Sequence, residues 1–249
     1  MVAVLCSVAQ RCRLDKSHGY KYDSMKRILV LAVLLLSITL SVFGQKEDFS
    51  KFIPKGYKLF EVVKGDLNKD NVEDRVLVVK GTSKAKFVKN MMDEVVDRNR
   101  RGLVILFKKG NRYEEVLKNL SLFASENEDG GAYFAPELSV EVAENKLYFS
   151  YGHGRYGNWL YTFRYQNNDF AMIGYDREEA QAPIALGYTS INYLTKKMQI
   201  KENVEAELGR ERFEETWYKL NITGLTYLSK IKDIDDLNCG KENKEKIKK

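Results

Sequence analysis

Cysteine, histidine and proline are all scarce in this chain of 249 residues, which holds three, two and three of them. Beyond residue 44 the only cysteine is Cys239, so a body beginning there can close no internal disulfide and must draw its stability from apolar burial. The only histidine of that body is His153. One histidine does not make the two- or three-histidine zinc sites of hydrolases, and no Ser-His-Asp arrangement is legible around it. The GxSxG, HExxH and GxxxxGKS/T motifs are missing as well. So is any real surplus of charge, although the whole chain totals +6. The first 44 residues hold six basic and two acidic side chains, and Lys241 to Lys249 holds five lysines and two glutamates. Residues 45–240 are left with 30 basic against 31 acidic side chains, which gives no phosphate-binding excess and argues against a nucleic-acid partner.

One long apolar run is present. Ile28 to Phe43 reads ILVLAVLLLSITLSVF, preceded by Lys26 and Arg27 and followed by Gly44. This is the layout of an export signal, and cleavage after Gly44 fits it. A retained anchor is the rival reading, but the run falls short of the roughly 20 apolar residues of a typical span and is thinned by Ser37, Thr39 and Ser41. Met25 sits just before the basic pair, so residues 1–24 read as an over-extended start. No cysteine follows the run to carry a lipid. The expectation is an exported protein, periplasmic or extracellular, with no membrane span after cleavage. Its body of about 205 residues is large enough to hide roughly 70% of its unfolded surface.

The body reads as mainly β. Short alternating runs at Tyr57–Val63, Arg75–Lys80, Leu103–Phe107, Tyr113–Leu117, Leu138–Val142, Lys146–Tyr151, Trp159–Tyr165, Phe170–Tyr175, Ser190–Leu194, Met198–Ile200 and Trp217–Ile222 are separated by Gly, Asn and Asp. Lys108-Lys109-Gly110-Asn111, Glu144-Asn145 and Asn167-Asn168-Asp169 read as hairpin turns, since these residues tolerate positive φ. The expected architecture is antiparallel, a meander or sandwich or part of a propeller, with a meander from Leu138 to Tyr175. Two short helices are expected. Lys84–Arg98 places Phe87, Met91 and Val95 at i, i+4 and i+8, and Val204–Glu215 is rich in Glu and Arg. A single domain over 45–240 and an unpacked basic tail over 241–249 complete the outline. Asn119-Leu120-Ser121 and Asn221-Ile222-Thr223 match the glycosylation sequon and are treated as incidental.

The sharpest local pattern is GDLNKDNVEDRVLVV, which sets side-chain oxygens of Asp66, Asn68, Asp70 and Asp74 at positions 1, 3, 5 and 9, with the Val72 carbonyl at position 7. Calcium takes six to eight oxygen ligands, and alternate residues of a tight loop can converge to supply them. Position 6 is Asn71 and position 12 is Leu77, so the loop is not an EF-hand. A strand comes after it rather than a helix. The segment therefore resembles the β-loop-β calcium loops of the FG-GAP or VCBS repeats, which implies a structural calcium ion. The resemblance covers Tyr57 to Lys80 and occurs once, whereas propellers repeat it in every blade. The segments SENEDGGAYFAPELS and YGHGRYGNWLYTFRYQ also look like those of exported bacterial proteins of unknown function that carry one such loop.

Two further segments are candidate ligand sites. Glu126, Glu128 and Asp129 crowd together before Gly130-Gly131. They read as a second ion site or ligand loop, or as a solvated acidic turn, with Arg155 a possible partner to relieve their repulsion. Tyr151 to Trp159 mixes three glycines with His153, Arg155, Tyr156 and Trp159. Tyr156 and Trp159 offer flat faces to a sugar and Arg155 a fork for a carboxylate; the rival is a hairpin whose aromatics pack back on the sheet. The residues thus point to a binding protein for a glycan, peptide or envelope protein. The alternative is a carbohydrate hydrolase using a carboxylate pair from Glu126, Glu128, Asp129 and Glu137.

Overall fold

The computed structural model describes residues 47–129, 135–241 and 243–247. The apolar run at 28–43 and the residues Gly130, Gly131, Tyr133 and Phe134 lie outside them. Strands β1 (Tyr57–Gly65) and β2 (Asp74–Gly81) form a hairpin, followed by a small excursion, β3 (Phe87–Lys89) and β4 (Val95–Asp97), and then by β5 (Arg101–Lys109) and β6 (Arg112–Phe123). These make a four-stranded antiparallel sheet in the order β1-β2-β5-β6, with β3-β4 as a separate two-stranded ribbon. The rest is one continuous meander: β7 (Glu137–Ala143), β8 (Lys146–Gly152), β9 (Gly157–Gln166), β10 (Asp169–Gln181), β11 (Ile184–Asn192), β12 (Lys197–Asn203), β13 (Phe213–Leu220) and β14 (Lys244–Lys246). Each strand of this eight-stranded sheet pairs only with its sequence neighbours. All eleven expected strands are present, and the meander runs past Tyr175 to β14.

The turns reflect residue chemistry. Glu144 and Asn145 have φ of 50° and 55°, and Asn167 and Asn168 have φ of 54° and 59°. Two successive left-handed residues match the right-handed twist of the strands they join. Helical elements among the described residues are single 3-10 turns.

Both expected helices are therefore corrected. Lys84–Lys86 is one 3-10 turn, and the remainder of that stretch is the β3-β4 hairpin. Asn90 explains why: its side-chain oxygen accepts the N–H groups of Met92 and Glu94 at 2.9 Å each, closing a turn in which Asp93 has φ of 62°. Val88 then pairs with Val96 across the ribbon. The stripe with helical spacing stays in water, with Phe87, Met91 and Val95 exposed. In the second stretch Ala206–Leu208 is a 3-10 turn ended by left-handed Gly209, and Phe213 onward is strand. Asn203 holds this loop by accepting from Glu205 and Arg212 N–H groups. The tail is not wholly unpacked, since Lys244–Lys246 pairs with β13.

The two large sheets share a core. Val76 and Val78 of β2 and Leu103, Ile105 and Phe107 of β5 pack with Leu147, Phe149, Phe163, Phe170 and Met172 of the eight-stranded sheet. The opposite faces of the same two strands, Leu77, Val79, Val104 and Leu106, are covered by Phe49, Phe52, Tyr57, Tyr113 and Leu120. This double burial is why VLVV at 76–79 and LVILF at 103–107 are unbroken apolar runs. Each wholly buried Phe or Leu contributes about 1.5–3 kcal/mol. Past β13, Leu228, Ile231 and Ile234 join the core, where the Asn119 amide donates to the carbonyls of Leu228 and Ile231 at 3.0 and 2.7 Å. That buried amide makes the Asn119 sequon unavailable in the folded chain.

A bulge between Arg101 and Leu103 brings β6 against Gly102, where a Cβ would lie 2.5 Å from the Asn119 carbonyl and the Leu120 Cα. Gly102→Ala is expected to cost about 1–3 kcal/mol through backbone displacement. Urea unfolding checks this, and an unchanged midpoint would refute the tight contact.

Candidate functional site

The loop between β1 and β2 folds around its own oxygens. Asp66 Oδ1 accepts from Asn68 N at 3.1 Å and Lys69 N at 2.7 Å, and its Oδ2 accepts from Asn71 N at 2.9 Å. Asn68 Oδ1 accepts from Asp70 N at 2.9 Å, and Asp70 Oδ1 from Val72 N at 2.8 Å. Left-handed Lys69 and Asn71, with φ of 69° and 62°, allow this winding. Asp66, Asn68 and Asp70 are thus gathered in one turn, and buried Leu67 anchors it to the core. Asp74 differs, being fully buried with its carboxylate accepting from Leu67 N at 2.9 Å and Lys108 N at 3.0 Å. Burial raises the Asp74 carboxyl above its usual range against the pull of those two amides, and the negative charges of Asp70 and Asp66 add to the rise. Val72 is exposed and donates its N–H into the turn. Among the described residues no three His, Cys, Asp or Glu side chains form a group able to hold a metal ion. Asn68 and carbonyl oxygens, which the sequence pattern also enlists, are not of those types.

The acidic segment has partners that its own sequence does not reveal. Lys80 and Arg101 are cross-strand partners on β2 and β5, and both are almost wholly buried. Two opposed cations repel, and burial strips each of water. Relief comes from the acidic segment and the ribbon. Lys80 Nζ pairs with Asp97 Oδ2 at 3.0 Å and with the Glu126 carboxylate, and Arg101 Nε lies 3.9 Å from Glu126 Oε2. Arg98 Nη2 meets Asp129 Oδ2 at 2.6 Å, while Glu128 Oε1 accepts from the Ser125 hydroxyl at 2.8 Å. The cations that relieve Glu126 and Asp129 are therefore Lys80, Arg101 and Arg98, and the suggested partner Arg155 lies elsewhere. Asp97 sits below its usual range: burial would raise it, but hydrogen bonds from the Asn99 side chain and backbone, together with Lys80, outweigh that.

The glycine-aromatic segment forms the turn between β8 and β9. Tyr151 and Trp159 stack at 5.3 Å and 17°, and Trp159 packs against the core. His153 and Tyr156 lie 5.2 Å apart at its mouth. Left-handed Gly157, φ 106°, is required because a Cβ there would stand 2.1 Å from the Glu178 carbonyl oxygen. Gly152 to Gly157 has the GxGxxG spacing of dinucleotide sites after a strand. The turn leads into strand β9, however, and not into the helix whose N-terminus would hold a pyrophosphate. A cleft of about 390 Å³ opens here, lined by Ala135, Glu137 and Gly152 to Tyr156. Arg155 Nη2 reaches the Ala182 carbonyl at 3.4 Å. A second cleft of about 240 Å³ lies beside Glu126, Asn127, Glu128, Asp129 and the ribbon tip Met91-Met92. Ala135 lines both clefts, so the two segments flank a shared wall without a direct ion pair between them among the described residues.

Sequence reasoning missed two features. The buried cations are hidden in the sequence because Lys80 and Arg101 end apolar runs and look like ordinary surface punctuation. The outward face of β9 to β14 escapes notice because its residues are scattered through the sequence; it carries Tyr188, Phe213 and Trp217, with a cleft of about 690 Å³ at Trp217. No family model, curated protein or solved structure matches the chain.

Removing both acids from the buried pair in Asp97→Ala with Glu126→Ala strands an ammonium and is expected to cost about 3–5 kcal/mol. Lys80→Met should cost less, because the carboxylates it orphans reach water. Urea unfolding that showed the reverse order would refute the burial argument. For Asp97 the sign is fixed: a lowered folded value stabilises above the ordinary 3.8 and is lost as pH falls through it. Asp97→Asn should therefore flatten the acid limb of the stability curve.

Proposed function

We propose that the chain is an exported binding protein whose ligand presents a carboxylate, as an acidic glycan or a peptide does, to the cleft at His153, Arg155 and Tyr156. The observation that carries this reading is the state of Arg155. It lines the cleft, its guanidinium reaches one carbonyl, and no carboxylate pairs with it among the described residues. A guanidinium fork with tyrosine beside it suits planar recognition of a carboxylate. The hydrolase reading has less support, because a glycosidase needs two carboxylates facing one bond. Here Glu126 is held by Lys80, Glu128 by Ser125 and Asp129 by Arg98, and the fourth candidate, Glu137, lines the Arg155 cleft while the other three line the second cleft. Arg155→Ala is expected to weaken binding of a uronate-containing oligosaccharide or a carboxylate-terminated peptide about tenfold or more in calorimetry, the worth of a charged hydrogen bond. Equal affinity would sink the proposal, and bond cleavage lost in Glu126→Gln would establish the hydrolase instead.

Calcium belongs to the same reading as a structural ion in the FG-GAP-like loop at Asp66, Asn68, Asp70, Val72 and Asp74. The oxygen spacing and the tight winding of the turn support it, as does the cost of burying the Asp74 charge, which a cation would offset. A ligand that binds only the folded state stabilises by about 2.7 kcal/mol at one hundred times its Kd, or roughly 5–10 °C for a domain of this size. Thermal unfolding with calcium and with chelator measures this. Coincident melts and no binding heat would return the loop to an ordinary polar turn.

A further inference from the structure

We infer that the ligand of the Arg155 cleft is a zwitterion, an amino acid or short peptide whose carboxylate meets Arg155 and whose free ammonium meets Glu137. This rests on the carboxylate reading of that cleft and adds the second group the ligand must carry. Sheet register builds the cleft. Glu137, Gly152 and Asn158 are cross-strand partners on β7, β8 and β9, so their side-chain positions form one row. Gly152 leaves the middle of that row empty, and a Cβ added there would meet nothing within 4 Å. Glu137 bounds the gap on one side, and the turn that carries Arg155 and Tyr156 closes its end.

Charge then selects the ligand. Arg155 and the exposed Glu137 line the same cleft, yet among the described residues neither forms an ion pair with the other or with any other side chain. Arg155 is nonetheless held in place at Ala182: its carbonyl accepts the Ala182 N–H at 2.9 Å, and its guanidinium donates to the Ala182 carbonyl at 3.4 Å. The neighbouring charges are already matched. Glu178, next in the row, accepts from Asn158 at 2.7 Å, and Arg177 pairs with Glu179 at 3.0 Å. Glu126 and Asp129 of the second cleft are held by Lys80 and Arg98. One cation and one anion are left facing a common space, too far apart to pair directly. A ligand with one group of each sign satisfies both, whereas a polyanionic glycan sets a further negative charge against Glu137, a repulsion that discriminates against it. Tyr156, 39% exposed at the mouth, adds a ring face for the ammonium. The volume of about 390 Å³ lies near the lower end of ligand sites, which suits a ligand of a few residues at most.

Calorimetric titration of the full chain with alanyl-leucine is expected to show saturable binding that weakens about tenfold or more when the ligand is N-acetylated or its carboxylate is converted to an amide. Leucine titrated beside it distinguishes the two sources, since equal affinity assigns the site to amino acids and tighter dipeptide binding assigns it to peptides. Glu137→Gln should weaken the free dipeptide by the same factor and leave the N-acetyl form unchanged, while Arg155→Ala weakens both. Gly152→Leu fills the gap in the row and should abolish binding without shifting the Tm. Equal affinity for the free and N-acetylated dipeptides, no effect of Glu137→Gln, or binding that survives Gly152→Leu would overturn the inference. So would the absence of binding heat from both leucine and alanyl-leucine. In each case Arg155-dependent binding of the N-acetyl form or of a uronate oligosaccharide would leave the carboxylate reading standing, and its loss would remove that reading too.

Discussion

β2 and β5 lie side by side with apolar residues buried on both faces, and the organisation of the domain depends on that double burial. A strand closed above and below cannot satisfy its backbone with water, so its N–H and C=O groups must be used in the ladder. β1 and β6 complete that ladder on either flank. The eight-stranded sheet closes one face through Phe149, Phe163 and Phe170, and the segment around Phe49 and Phe52 closes the other.

The ends of this buried pair must then accommodate charge. At one end Asp74 is sealed in, its carboxylate satisfied by two backbone amides that tie the first loop to β5. At the other end Lys80 and Arg101 face each other across the ladder, and the β3-β4 ribbon and the segment after β6 supply the carboxylates that neutralise them. The acidic cluster is thus a counter-charge to the core's exit as well as the wall of a cleft. Among the described residues the buried Tyr151 hydroxyl nearby has no hydrogen-bond partner. Burial holds its pKa high, with Asp235 adding to the rise and Arg101 opposing it.

The cleft proposed for recognition lies where the large sheet outgrows the small one. The small sheet covers one face of the meander, while β9 to β14 present the other to solvent with aromatic and charged side chains. The glycine-rich turn at the rim opens a cleft beside the uncovered region. Both surfaces stand on strands of one continuous sheet, whose ladder fixes the positions of their side chains.

The strands, their antiparallel order and the hairpin turns were legible in the sequence because each depends on neighbours. Alternation, Asn-rich turns and unbroken apolar runs such as LVILF report local conformation and burial directly. The Asp66 to Asp74 spacing was legible for the same reason. The stretch 84–98 misled because apolar spacing at i, i+4 and i+8 carries no information about whether a core exists to receive it, and Asn90 closes a hairpin instead. Only tertiary structure could pair Lys80 with Glu126, oppose Lys197 to Lys219 and assemble Tyr188, Phe213 and Trp217 on one face. Sheet register decides those contacts, and register is a property of strands brought together from distant parts of the chain.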